Sequence, residues 1–526
     1  MLYTPATKAA LRLCFDAHKD QVDKSGLPYV FHPFHLAEQM GTEHEVCVAL
    51  LHDVMEDTDL GPDDLIAAGI PAAYVDTLRL MTHVPAVPYL DYVRRLAPNR
   101  VARRVKLADL AHNSDLSRLD GEPAQADIDR VEKYRQAIEL LGAYERIDQN
   151  ERYLGKYQGC LLGGAIGDAL GYAVEFSSYE RIVEEYGADG IRAFDASPAR
   201  FSDDTQMTLF TAVGLLVGDS HRRLAGGAAR PASYVNSAYL DWLATQSWGD
   251  IGNPGISWLL DINELHVSRA PGNTCLNALY AGGGGSIESR INDSKGCGGV
   301  MRVAPWGLFP GESVTGWDDA RVREFVREGA EMAALTHGHP LGWIPAGALC
   351  YLVNRCAFEV VEGEADPRAA LGGIVRDCIR GLPGWFSDEP EDAACQAELL
   401  ERAMELAAGD EPDQPCILQL GEGWVGEEAL AIAVFSALRH ADSFAETVIS
   451  AANHDGDSDS TAAICGNIVG ALLGIGAIGP EWDEVELRGV ILEVARDLCD
   501  RCQMTEDGVY YDEAWSDRYC RYTARG

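Results

Sequence analysis

His32 stands directly before Pro33, the run LLHDVMEDT sets His52 beside Asp53, and VKLADLAHN supplies Asp109. Two imidazoles and two carboxylates make a mixed nitrogen and oxygen donor set, which suits Mn, Fe, Zn or Mg ions. Glu56 and Asp57 follow His52 and Asp53 at four-residue spacing, so on a helix both pairs share one face. Carboxylates placed there can act as general base and acid toward a metal-bound water, or orient it. An isolated His-Asp pair reads as a polar helix face; the joint set reads as a metal site.

A second constellation lies far along the chain. FSDDTQMT carries Ser202, Asp203 and Asp204, and NHDGDSDSTAA carries Asp457, Asp459 and Ser460. Carboxylates and hydroxyls without imidazole suit hard ions. Adjacent Asp203 and Asp204 can point to two neighbouring ions while Asp457 and Asp459 reach the same pair from the opposite side. That is the composition of a two-metal centre holding a water and the hydroxyls of a sugar. Each cluster adjoins a run with glycines every four residues: Gly163, Gly167 and Gly171 in LLGGAIGDALG, and Gly466, Gly470 and Gly474 in CGNIVGALLG. Glycines on one helix face let backbones approach closely. The two helices are therefore expected to pack together, or against a common neighbour, and to carry the distant acids to one site.

The elements that must position these residues are helices. Apolar residues recur at three- and four-residue spacing in ALRLCFDAH, EVCVALLHDVMEDT, YRQAIELLG and ALAIAVFSAL, and alternating strand patterns are scarce, so the expected fold class is all-α. Two halves with different signatures meet near residues 143–155, AYERIDQNERYLG, a polar stretch without proline that can continue a helix. Residues 218–232, 280–296 and 362–369 are rich in glycine, small or charged residues and read as surface loops. The net charge of −39 excludes bulk nucleic-acid binding by counterion release. It also repels anionic ligands, so a phosphate-bearing ligand needs metals, local arginines or oriented backbone amides. Fourteen cysteines in 526 residues are too sparse for a disulfide scaffold, and MLYTPATKAALRLCF lacks the pattern of a signal peptide; a cytoplasmic setting is expected. Cys499 and Cys502 form a lone CxxC, read as two thiols on a late helix. The uncharged run 460–480 has the length of a membrane span but contains Asn467 and five glycines, and reads as a buried helix, so no membrane is expected as a partner.

The first constellation, with AHKDQVDKSGLPYVFHP, LLHDVMEDT and VKLADLAHN in order, resembles the HD-superfamily phosphohydrolases, specifically the alarmone hydrolases that remove the 3′-pyrophosphate of ppGpp-like nucleotides. The resemblance covers about residues 1–142. It implies that His32, His52, Asp53 and Asp109 bind one Mn2+, that Glu56 and Asp57 serve the attacking water, and that Lys24, Ser25, Tyr29 and Asn113 contact the nucleotide. Two positions depart from the family: Asp23 stands where an arginine commonly packs on the base, and Leu116 where a hydroxyl residue is common.

The second constellation, with GCLLGGAIGDALG, SDDT, APGNTC, SKGCGGVMRVAP, LTHGHP, LGEGWVGEEAL and GDSDSTAA, resembles the ADP-ribosylglycohydrolase family from about Gly155 to Trp482. The resemblance implies an orthogonal helical bundle in which Ser202, Asp203, Asp204, Asp457, Asp459 and Ser460 hold two Mg2+ or Mn2+ ions. Asp204 and Glu175 would be catalytic, the loop Ser294, Gly296, Cys297, Gly298 and Gly299 would receive the ADP-ribose diphosphate, and His337 would contact the ligand. Amides can approach phosphate closely where side chains are absent, which is the physical use of such a loop. His454 and Asp455 replace a common glycine and are expected to narrow the site or add a ligand. The expected organisation is an HD-type domain over 1–146 and a glycohydrolase domain over 153–526, with its core ending near 482 and a packed C-terminal cap beyond. The expected substrates are ADP-ribosylated protein or an ADP-ribose derivative, and a ppGpp-like nucleotide. Two alternatives stay open: a first domain that senses a nucleotide without hydrolysing it, and a second domain that only binds ADP-ribose.

Overall fold

Helix starts are set by caps that satisfy the first unpaired N–H groups. Thr42 opens Glu43–Leu51 with a reciprocal cap: its hydroxyl accepts from the Glu45 N–H at 3.3 Å, and the Glu45 carboxylate accepts from the Thr42 N–H at 3.0 Å. Ser202 and Asp366 open Asp203–Ala225 and Pro367–Trp385 with side-chain caps of the same kind. The protein is described by a computed structural model over residues 2–24, 26–119, 122–227, 229–246, 255–361, 363 and 366–520. It is all-helical. Among these residues the only β-type pairing is three isolated bridges, Val22 with Pro28, Ala199 with Val485 and Gly296 with Val425.

The chain divides into two compact units, Met1–Gln149 with Gln503–Tyr511, and Asn150–Cys502 with Asp512–Gly526. In the first unit, Glu43–Leu51 is the central helix. Its run from Val46 to Leu51 is buried on every side, among Leu36, Leu78, Leu96 and Leu110. The closing segment returns to this unit: the Arg94 guanidinium donates to the Val509 carbonyl at 3.2 Å, and Tyr510 meets Tyr144 edge-to-face.

In the second unit the glycine faces of Leu154–Tyr172 and Ser458–Leu473 meet directly. A Cβ at Gly163 would collide with the Gly466 carbonyl oxygen, one at Gly167 with the Ala462 carbonyl, and one at Gly470 with the Gly159 carbonyl. Asn467 fills the gap over Gly164 and donates to the Cys160 carbonyl at 2.8 Å, and Lys156 donates to the Leu472 carbonyl at 2.6 Å. Both polar side chains therefore fasten backbone to backbone.

The uncharged run 460–480 is this second helix, which stops at Gly474 with φ +79°. No helix of the described residues is long and apolar enough to cross a membrane. Residues 218–225 depart from the loop expectation: Asp203–Ala225 runs through them before a left-handed Gly226 ends it, because Asp219 and Ser220 are buried and partnered. Cys499 is buried with its thiol on the Asn150 carbonyl at 3.2 Å, and Cys502 is buried as well. Glu513–Tyr519 packs as a cap, with the Trp515 indole donating to Ser220 at 2.8 Å and the Tyr519 hydroxyl to Asp497 at 2.6 Å.

Because Gly466 has carbonyl backbone where a Cβ would go, Gly466→Ala is expected to destabilise the second unit by about 3 kcal/mol, at the upper end for overpacking. Denaturant unfolding followed by fluorescence measures it; a change below about 0.5 kcal/mol would contradict the backbone-to-backbone contact.

Candidate functional site

In the first unit His32 lies in the first turn of Phe31–Glu38, His52 caps the C-terminal end of Glu43–Leu51, Asp53 follows it, and Asp109 projects from Arg100–Ser114. The structure brings all four together. His32 Nε2 is 3.2 Å from Asp109 Oδ1, and His52 Nε2 is 3.0 Å from Asp53 Oδ2 and 3.8 Å from Asp109 Oδ1. One donor atom each from His32, His52 and Asp109 fits within 4.8 Å. Both Nε2 atoms are buried without a hydrogen-bond partner, while His52 Nδ1 is engaged by the Ala49 carbonyl at 2.9 Å. That contact turns the Nε2 lone pair toward the carboxylates, the arrangement a divalent ion requires. Burial alone would lower the His52 pKa, but Asp53 and Asp109 outweigh it and push it up to about 10. In the metal-free protein a proton on His52 thus supplies the positive charge that a divalent ion would supply when bound.

Around this cluster, Tyr29 donates to Asp53, Asn113 to Asp109 at 2.6 Å and Lys106 to Asp109 at 2.8 Å. An adjoining cavity of about 300 Å³ is lined by Lys24, Tyr29, His32 and Asn113. Glu56 and Asp57 lie outside that lining; Glu56 accepts from the His83 N–H at 3.0 Å. Burial, then the charges of Asp53 and Glu56, raise the Asp57 carboxyl. Ser25 lies outside the described residues. Arg118, not singled out from the sequence, lines the same cavity and pairs with Asp23 at 3.0 Å. The departure at Asp23 is therefore accompanied by a guanidinium from a different segment.

In the second unit, two helix N-termini converge. Asp203 and Asp204 occupy the first turn of Asp203–Ala225, behind Ser202, whose hydroxyl accepts from the Asp204 N–H at 3.2 Å. Asp457 precedes Ser458–Leu473, and Asp459 and Ser460 are in its first turn. Glu175 follows the end of Leu154–Tyr172. Glu175, Asp203, Asp204, Asp457, Asp459 and Ser460 line one cavity of about 320 Å³, together with Gly296, Cys297, Gly298 and His337. Carboxylate oxygens of Glu175, Asp457 and Asp459 fit within 4.8 Å of one another. Glu175 Oε2 and Asp204 Oδ2 are buried without partners.

Among the described residues no lysine or arginine lines that cavity. The carboxyls of Asp203, Asp204 and Asp457 are accordingly held far above the usual range, first by burial and then by the charge of Asp459. Glu175 is pushed up to about 10 by burial and by Asp459, Asp457 and Asp203. An all-oxygen cluster with orphaned acceptors and too much negative charge fits hard divalent cations.

Ser202, Ser294 and Gly299 fall outside the lining. Ser202 acts as a helix cap, Ser294 pairs with Thr274 at 3.1 Å, and Gly299 admits the Gly342 carbonyl. His337 is buried beneath the loop, where a Cβ at Gly296 or Gly298 would press on its ring. Burial and then Arg302 bring its pKa down to about 3, so it is neutral. The Cys297 thiol contacts Asp457 Oδ2 at 2.6 Å. The expectation for His454 and Asp455 is corrected: neither lines the cavity. His454 is buried against Thr461 at 2.8 Å, and Asp455 accepts from the Tyr179 N–H at 3.0 Å, which holds the turn after Glu175. A larger cavity of this unit, about 760 Å³ beside Trp317, Tyr351 and Trp385, is lined by none of the clustered acids.

Asp168 was missed. It lies in the glycine helix, fully buried, with Oδ1 accepting from the Ser202 N–H at 2.8 Å and Oδ2 from the Thr205 N–H at 2.9 Å and hydroxyl at 2.5 Å. It thereby pins the turn that presents Asp203 and Asp204. Its place in LLGGAIGDALG, one polar residue in a small-residue run, is its one signature at the level of sequence. Burial and then Asp459 push it up to about 7.

A carboxyl with a raised folded pKa keeps its proton while the unfolded chain loses one, so it subtracts stability as pH rises from the ordinary value toward the folded one. Asp168 imposes this loss between about pH 4 and 7, and Glu175 extends it toward 10. Chelator-treated protein is therefore expected to melt several degrees lower at pH 8 than at pH 5.5. Mg2+ should raise Tm more at pH 8 than at pH 5.5, as scanning calorimetry would measure. A metal effect independent of pH would contradict the electrostatic account.

A family model described as ADP-ribosylglycohydrolase matches residues 149–508. The ADP-ribosylarginine hydrolase Tri1 of Pseudomonas putida (strain GB-1) is 26% identical over 365 residues, covering 68% of this chain and 81% of the relative. The dinitrogen-reductase ADP-ribosyl glycohydrolase of Rhodospirillum rubrum is 24% identical over 338 residues, covering 62% and 87%. A short match, 43% identical over 56 residues, is to a chloroplast protein of Oryza sativa subsp. japonica named as a GTP diphosphokinase, RSH1; it covers 10% of this chain and 6% of the relative. With the family model spanning well over half its length, and with the acid cluster gathered in one cavity within the matched region, the chain belongs to the ADP-ribosylglycohydrolase family.

Proposed function

We propose that the second unit releases ADP-ribose from arginine side chains of modified proteins, using two Mg2+ or Mn2+ ions. The observation that carries this reading is the convergence of five carboxylates, from three segments, on one cavity that Gly296–Gly298 also line. The names of the Pseudomonas and Rhodospirillum relatives support removal of ADP-ribose from protein, the former from arginine. Asp203, Asp204, Asp457, Asp459 and Ser460 would hold the ions, with Ser202 fixing the turn. When bound, such ions polarise sugar hydroxyls and acidify water. Amides of Gly296, Cys297 and Gly298 would donate to the diphosphate, with neutral His337 supporting them from below. Asp204 Oδ2 and Glu175 Oε2, the partnerless acceptors, would orient the attacking water and take its proton once bound cations have displaced the protons that burial and like charge hold there.

For the first unit the reading is a pyrophosphohydrolase of ppGpp-like nucleotides, with one Mn2+ held by His32, His52, Asp53 and Asp109. The paired, partnerless Nε2 atoms support a metal there. Glu56 and Asp57 would serve the water, and Lys24, Ser25, Tyr29 and Asn113 would contact the nucleotide. Asp23 with Arg118 at the cavity wall favours a second reading, a nucleotide sensor without turnover.

Asp203→Ala is expected to lower ADP-ribose release at least 100-fold while sparing ppGpp or ppApp turnover, and Asp53→Ala to do the reverse. Chromatographic assay of both products would measure this. If the wild type turns over no such nucleotide but one of them alters ADP-ribose release, the first unit is a sensor.

A further inference from the structure

Two aromatic rings at the cavity mouth have no role in the chemistry above. Phe176, directly after Glu175, is 70% exposed, and Trp424, in the segment LGEGWVGEEAL, is 37% exposed. Their rings stack with centroids 5.5 Å apart and planes at 18°, and both line the acid cavity. Phe176 holds φ +64°, a left-handed conformation unfavourable for a bulky residue. Trp424 is anchored by its carbonyl, which accepts from the Cys297 N–H at 3.1 Å, so it is fixed to the loop beneath the site. An exposed, strained and stacked aromatic pair beside a partnerless carboxylate oxygen is a ligand surface more readily than a packing contact.

We infer that Phe176 and Trp424 form an acceptor platform: the face of Phe176 stacks on the planar guanidinium of the ADP-ribosylated arginine at the mouth of the acid cavity. Planar cations bind aromatic faces and carboxylates together. Among the described residues the cavity lining holds five acidic side chains and no lysine or arginine; Arg302, whose charge reaches Asp203 and His337, is buried outside that lining. Serine and cysteine acceptors offer the platform neither a plane nor a charge. The inference rests on the arginine reading above and adds the residues that would enforce it.

The test is steady-state kinetics of full-length Mg2+-loaded protein on an ADP-ribosylarginine peptide, with inhibition by free ADP-ribose measured alongside, for wild type, Phe176→Ala, Trp424→Ala and Phe176→Tyr. The expected result is a KM raised about tenfold in both alanine variants with kcat within twofold. The ADP-ribose inhibition constant should stay unchanged and Phe176→Tyr should behave as wild type. Unchanged KM in both alanine variants overturns the platform alone. A parallel rise in the ADP-ribose inhibition constant also overturns it, by assigning the rings to the adenine. A wild type inert on the arginine substrate but active on serine- or cysteine-linked ADP-ribose overturns the arginine reading and the platform with it.

Discussion

The second unit depends on one close contact, the meeting of two glycine-faced helices at backbone distance. Leu154–Tyr172 and Ser458–Leu473 approach until carbonyl oxygens occupy the space of missing Cβ atoms. The contact sets the N-terminus of the second helix, and with it Asp457, Asp459 and Ser460, against the end of the first helix, which leads to Glu175. The same glycine helix carries Asp168, whose two oxygens fix the start of a third helix with Asp203 and Asp204. Three chain segments are thus registered by one interface. The cost is a buried set of like charges, which raises their proton affinity and fits the cluster to divalent cations in place of protons.

The two units solve the same electrostatic problem with different donors. In the first, two imidazoles share the site with two carboxylates, and a protonated His52 is a counter-charge. In the second, every clustered acid offers oxygen and, among the described residues, no lysine or arginine lines the cavity. The first donor set suits transition ions through nitrogen, and the second suits hard ions. For a chain of net charge −39, attracting a diphosphate calls for local positive charge or oriented amides; Lys24 and Arg118 line the first cavity, while the second offers the Gly296–Gly298 loop.

Residue type and spacing made the acid and imidazole clusters legible, because few buried arrangements other than metal sites gather such groups. The all-helical class and the glycine-face contact were legible for the same reason: periodicity and close approach are local properties. What was not legible depends on where loops travel. Asp168 is a single polar residue in an apolar run, and only the third helix explains it. Phe176 and Trp424 are far apart in sequence and meet only in the fold. His454 and Asp455 sit within the metal motif yet turn away to hold Thr461 and the Tyr179 turn, a direction that adjacency in sequence does not reveal. Likewise, the return of Gln503–Tyr511 to the first unit has no signature in composition.

The central claim, that protein-held divalent cations neutralise both clusters, is tested most directly by anomalous diffraction from crystals of the full chain equilibrated with Mn2+. The account predicts two peaks in the cavity of Asp203, Asp204, Asp457 and Asp459, and one between His32, His52, Asp53 and Asp109. Peaks confined to other surfaces, or clusters that stay metal-free at millimolar Mn2+, would contradict it.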